Sequence, residues 1–130
     1  MKTKQEIFNQ VAAHLMTQKE PAKDSAGDCA YRGLHGHQCA VGCLIEDEHY
    51  NSYFEGILIT IEHDSGSAPT GQNRLLHDAL LASGVDVADA DVEALLAELQ
   101  QLHDNVDAES WIDELPVIAD CLNLTFTPEN

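Results

Sequence analysis

Residues 39–45, Cys-Ala-Val-Gly-Cys-Leu-Ile, offer no side chain that sits comfortably in water. Whatever this chain folds into must enclose them, and the remaining residues have to build the enclosure. Read as a helix, the run is apolar on every side, the pattern of an element packed all round. Two small thiols with a glycine between them suit such a site, so Cys39, Gly42 and Cys43 read as structural residues.

The enclosure is legible as helical stripes. Thr3 followed by Glu6 forms a capping box, and Ile7, Phe8, Val11, Ala12, Leu15 and Met16 recur on one face of a first helix that ends near Gln18. Leu75, Leu76, Ala79 and Leu80 mark another over 73–83, stopped by Gly84. Asp89 caps a third that carries Val92, Leu95, Leu96, Leu99 and Leu102. Asp107 or Ser110 opens a last helix with Trp111, Ile112, Leu115, Ile118 and Leu122, in which Pro116 predicts a break. Residues 46–61 fit helical spacing better than a strand. Gly33 and Gly36 predict a small β-hairpin or tight loop over 29–38, and 124–127 an extended end. The expectation is one mainly α domain over 1–130, a compact bundle of five or six helices.

Charge is lopsided. The chain carries 6 basic and 23 acidic residues, a net charge of −17. Residues 1–45 hold five Lys/Arg against four acids, whereas 46–130 hold only Arg74 against nineteen. No basic groove for nucleic acid can be assembled from this inventory, and an anionic membrane surface would repel it. No apolar run approaches the ~20 residues of a membrane span, and the N-terminus has no apolar signal core. A cytoplasmic location follows as an expectation, with cysteines that stay reduced.

Chemistry-bearing residues concentrate in 28–50. Cys29, His35, His37, Cys39 and Cys43 supply enough soft ligands for zinc, although the C-x9-C-x3-C spacing matches no common zinc module. Cys39 near a helix start, with His35 or His37 as base, would make a nucleophile with nothing nearby to orient the base. The doublets His77-Asp78 and His103-Asp104 have the form of metallohydrolase ligands but arrive without a partner set. Asp86, Asp89, Asp91 and Glu93 resemble a calcium loop in composition only, because the central glycine and terminal glutamate are absent. Arg32, with a single basic residue after it, is expected to pair with a carboxylate such as Asp47 or Glu55 and tie its loop to the acidic part.

The run Cys29, Tyr31, Arg32, Gly33, then Cys39 to Ile45, then Glu55-Gly56 resembles a group of small proteins from bacterial, phage and other mobile-element genomes. That resemblance covers most of the chain and implies no activity. What it implies is context: an accessory protein acting on a host factor.

Two function classes follow. One is a non-enzymatic acidic protein that binds a basic, nucleic-acid-binding host protein or defence complex, with carboxylates standing in for phosphates. Its face would be Glu93, Glu98, Asp107, Glu109, Asp113 and Glu114, which are expected to point outward together. The other is a small zinc-binding or cysteine-dependent enzyme centred on Cys29–His49. A third reading leaves the acids to solubility alone. The first is preferred, with no cofactor and no direct contact to nucleic acid.

Overall fold

A computed structural model of the protein describes residues 1–55 and 71–126. Four α-helices lie among them: α1 (Lys4–Gln18), α2 (Gly71–Ala82), α3 (Ala90–Asn105) and α4 (Trp111–Cys121). The described chain is mainly helical, and none of its residues belongs to a named β-strand. No helix among the described residues is long and apolar enough to cross a membrane.

The helix ends follow from local chemistry. Thr3 Oγ1 accepts the Glu6 N–H (3.1 Å) while Glu6 Oε1 accepts the Thr3 N–H (3.0 Å), so two orphan donors of α1 are satisfied at once. α1 closes at Lys19, whose left-handed φ of 57° returns its N–H to the Leu15 carbonyl. Gly84, at φ 92°, ends α2 and lets the Val85 N–H reach back to the Leu80 carbonyl (2.8 Å). Asp89 caps α3 through Oδ1, which accepts from the Asp91 and Val92 amides. A 3-10 turn, Ala108–Ser110, leads into α4. α4 does not break at Pro116: the proline lies on the exposed side, where water can serve the carbonyl that loses its N–H partner.

The apolar faces of α1, α3 and α4 pack together. Trp111 is fully buried, and its Nε1–H is shared by the Leu102 (3.1 Å) and Val106 (2.9 Å) carbonyls at the end of α3. One side chain thus fills the core and gives its buried N–H to carbonyls at the end of the neighbouring helix. Beyond α4, Leu124–Phe126 lie along the start of α1. The Gln5 carboxamide pairs with both backbone groups of Thr125, and Phe126 meets Phe8 edge-on at 6.0 Å.

Two expected helices do not form among the described residues. Residues 39–45 are enclosed as anticipated, with Cys39, Ala40 and Val41 fully buried, yet only Gly42–Leu44 coil, as a single 3-10 turn. The turn cannot continue because its exit is captured: the Ile45 carbonyl accepts Arg32 Nη2 (2.7 Å), and the Glu46 N–H bonds Ser83 Oγ (3.0 Å). Residues 46–55 form two 3-10 turns, Asp47–His49 and Ser52–Phe54, separated by extended Tyr50 and Asn51. Asn51 caps the second by accepting the Tyr53 N–H, a side-chain bond that competes with helix continuation. The rest of the helix expected over 46–61 lies outside the described residues. Residues 29–38 form the loop rather than the hairpin, held by isolated antiparallel bridges, Lys23 with Cys29 and Arg32 with Gln38.

Candidate functional site

The segment from Lys19 to Glu55 has little regular structure, so each part of it must be held by named contacts. The first node centres on Glu55. Its carboxylate accepts the Tyr31 N–H (2.8 Å), the Arg32 N–H (3.1 Å) and the Tyr50 O–H (2.5 Å). Arg32 itself sends Nη1 to Asp47 (2.7 Å) and lies with its guanidinium 4.9 Å above the Tyr50 ring, while its buried Nε has no hydrogen-bond partner among the described residues. The expected tie between Arg32 and the acidic part therefore takes both carboxylates: Asp47 on the side chain and Glu55 on the backbone. Burial and the Glu55 hydrogen bond push the Tyr50 phenol up to about 12, so it serves as a donor and not as a phenolate.

Directly below this node, Gly42 touches the loop. A Cβ added there would stand 2.1 Å from the Tyr31 carbonyl oxygen, closer than any non-bonded atoms can approach. Glycine at 42 has a plain cause: the Tyr31 backbone crosses where a side chain would be.

The second node centres on His103. It is buried, stacks on Trp111 with ring centroids 5.8 Å apart, and accepts the Ala22 N–H at Nε2 (2.8 Å). Because Nε2 accepts, the ring proton is on Nδ1, which donates to Asp104 (2.8 Å). Cys29 completes the group: the ligand-type atoms of Cys29, His103 and Asp104 lie within 4.8 Å of one another. Burial first and the Asp104 carboxylate second raise the Cys29 thiol. A metal ion at Nδ1 would need that proton removed while the Ala22 N–H still occupied Nε2, which leaves an imidazolate. The arrangement fits a histidine that pins the 20–30 loop to α3 far better than it fits a ligand.

The sequence-derived ligand set disperses. Cys39 is fully buried, its sulfur accepting the Gly42 N–H (3.2 Å), and burial raises its thiol. The half-buried Cys43 donates to the Ala40 carbonyl (3.1 Å), and burial pushes it up to about 12. His35 is exposed at φ 61°, and His37 lies 3.4 Å from Glu20. Among the described residues none of these four joins a three-ligand group; Cys29 alone does, with partners from α3. His77 and Asp78 on α2 belong to no such group either, and Asp78 pairs with Arg74 at 3.7 Å.

The acids of the proposed face divide. Glu98, Asp107, Glu109, Asp113 and Glu114 are exposed, whereas Glu93 is half-buried. Five residues along a helix of 3.6 per turn rotate Glu93 and Glu98 about 140° apart on α3, so those two do not share a face. Asp107, Glu109, Asp113 and Glu114 do fall within two turns of chain at the start of α4. Among the described residues no Lys or Arg pairs with the five exposed acids; the cations go to Asp91 (Lys4, 3.5 Å), Asp47 and Asp78.

Glu55, Tyr50 and His103 are the residues sequence reasoning underused. Glu55 lies in the Glu-Gly pair, and His103 in a His-Asp doublet that shows no partner set in the sequence. No protein-family model, curated protein or solved structure matches the chain.

Proposed function

We propose that this protein is a non-enzymatic binding module whose carboxylates at the start of α4 engage a basic, nucleic-acid-binding partner in the cytoplasm. The partner is a host protein or defence complex, and the carboxylates take the place of phosphates. The observation that carries this reading is the contrast in how charged groups are used. Cys39, Cys43 and His103 are engaged in internal hydrogen bonds, whereas Asp107, Glu109, Asp113 and Glu114 are exposed and without cations among the described residues. Exposed carboxylates left unpaired at a net charge of −17 destabilise the fold by self-repulsion, and a solubility role needs a net charge of only about 2–8. The cysteine-enzyme alternative loses ground because its thiols are held in the neutral form.

The test is capture of partners from host lysate, followed by association kinetics on the purified pair. Association should slow about tenfold or more on raising salt through the range where the Debye length falls to roughly 8 Å, and again on converting the four acids to Asn or Gln. A captured partner whose binding ignores both would overturn the reading.

A further inference from the structure

The side chain of His103 is fully buried, and both of its ring nitrogens are in use. Nε2 accepts the Ala22 N–H (2.8 Å), a bond that exists only while that nitrogen carries no proton. Nδ1 donates to Asp104 (2.8 Å), whose partly exposed carboxylate also accepts from Gln100 Nε2 (2.8 Å). Ala22 is fully buried too, so its N–H depends on the imidazole. Its carbonyl accepts the Ala30 N–H (3.0 Å), and the next residue, Lys23, bridges Cys29 and accepts the Leu34 N–H (2.8 Å). Gly33 lies against the same backbone: a Cβ added there would stand 2.6 Å from the Lys23 nitrogen. One imidazole lone pair therefore anchors the stretch of backbone on which the 29–34 loop rests.

We propose that His103 is an acid-released latch: one proton taken up at Nε2 detaches Ala22 and loosens the 20–34 loop while the helices stay folded. Nothing in this depends on the basic-partner reading. Protonation turns Nε2 from acceptor into donor, so it then faces the Ala22 N–H donor against donor. The added charge has a partner in place. Asp104 already holds Nδ1, and with an imidazolium that bond becomes charge-assisted, so the ring keeps its position and the loss falls on Ala22. From α4 the ring meets Trp111, an uncharged aromatic face at 5.8 Å that accommodates a cation. The remaining titratable groups around the site leave this balance intact. On the loop side, burial and the Asp104 carboxylate hold Cys29 as a neutral thiol, and the nearby Asp28 and Lys23 are of opposite sign. Tyr31 and Cys39, within reach of the Asp104 charge, are kept neutral by burial. Histidine is the side chain whose ordinary titration falls between about pH 5 and about pH 8. The Ala22 contact is present at the upper end of that range and lost toward the lower end.

The experiment is an NMR titration of the full, nitrogen-labelled chain from about pH 8 to about pH 5, reading the His103 ring nitrogens and the backbone amides together. The Ala22 amide should shift in step with the His103 ring. Its protection against exchange, taken relative to the intrinsic rate at each pH, should fall about tenfold, the effect of one lost hydrogen bond. The Thr125 amide, held by the Gln5 carboxamide that takes up no proton, should keep its protection. His103→Gln can offer Oε1 to Ala22 and cannot take the proton, so Ala22 should stay protected across the range. If that variant does not fold, Asp104→Asn serves: its carbonyl still accepts from Nδ1 but gives the imidazolium no counter-charge, so release should need a lower pH. A His103 ring that titrates while the Ala22 amide stays protected would overturn the latch, as would a ring that stays neutral throughout. So would Ala22 release that persists in His103→Gln or comes at the native pH in Asp104→Asn. Loss of helical circular dichroism in step with the ring would also overturn it, replacing a local release with unfolding.

Discussion

The α1–α3–α4 assembly and the Lys19–Glu55 segment are held together by different means. In the first, apolar stripes at helical spacing meet, and Trp111 closes the interface. In the second, single polar groups hold irregular backbone: Glu55 on the Tyr31 and Arg32 amides, His103 on the Ala22 amide, and Gln100 Oε1 on the Val41 amide (3.1 Å). Packing tolerates compensation among many weak contacts, whereas a directed bond to a buried amide has no substitute. The two regions should therefore fail differently.

The largest expected effect lies in the helical region. Trp111→Ala removes the most voluminous fully buried side chain together with the indole donor shared by the Leu102 and Val106 carbonyls, and should cost about 3–5 kcal/mol by urea denaturation. A loss below about 2 kcal/mol would mean that the interface collapses around the gap and packs less tightly than described. Next comes Gly42→Ala, which should cost about 3 kcal/mol, at the top of the overpacking range, because the atom in its way is backbone. The internal control is Gly27→Ala: Gly27 has φ 87° and open space around it, so only the left-handed backbone cost of about 1–2 kcal/mol applies. Equal losses at 42 and 27 would erase the distinction between contact and conformation.

Glu55→Gln sharpens the comparison further. Glutamine retains one acceptor and presents an NH2 to amides that can only donate, so a loss of about 1–3 kcal/mol is expected, with increased hydrogen exchange at Tyr31 and Arg32. Unchanged exchange at those two amides would show that the loop is held by packing after all. The smallest effect belongs to the exposed cap: Thr3→Ala should cost about 1 kcal/mol and leave the loop amides untouched.

The same difference decides what could be read from sequence. The ends and stripes of α1, α2 and α3 were legible because caps and periodicity are local: Thr3 with Glu6, Asp89 with Val92, Gly84 after α2. The loop was not, because its bonds join residues far apart, Glu55 to Tyr31 and His103 to Ala22. Residues 39–45 were rightly expected to be enclosed and wrongly expected to be an α-helix, since an apolar run reports burial and says nothing of backbone shape. Among candidate site residues, the exposure of Glu98, Asp113 and Glu114 followed from helix phase, whereas Asp107 and Glu109 lie at the 3-10 turn before α4. The separation of Glu93 from Glu98 followed from the same phase and required only that the two be set on one wheel.

That the cysteine and histidine segment is packing, with the chemistry of recognition left to the acids, is tested most directly by alkylating the native protein near pH 8 and locating the label by mass spectrometry. Cys121, which is exposed, should react first and Cys29 more slowly. Cys39 and Cys43 should stay unlabelled until denaturant is added, since burial raises both thiols. Labelling of Cys39 or Cys43 in the folded protein as fast as Cys121 would contradict the account and make the segment a reactive site.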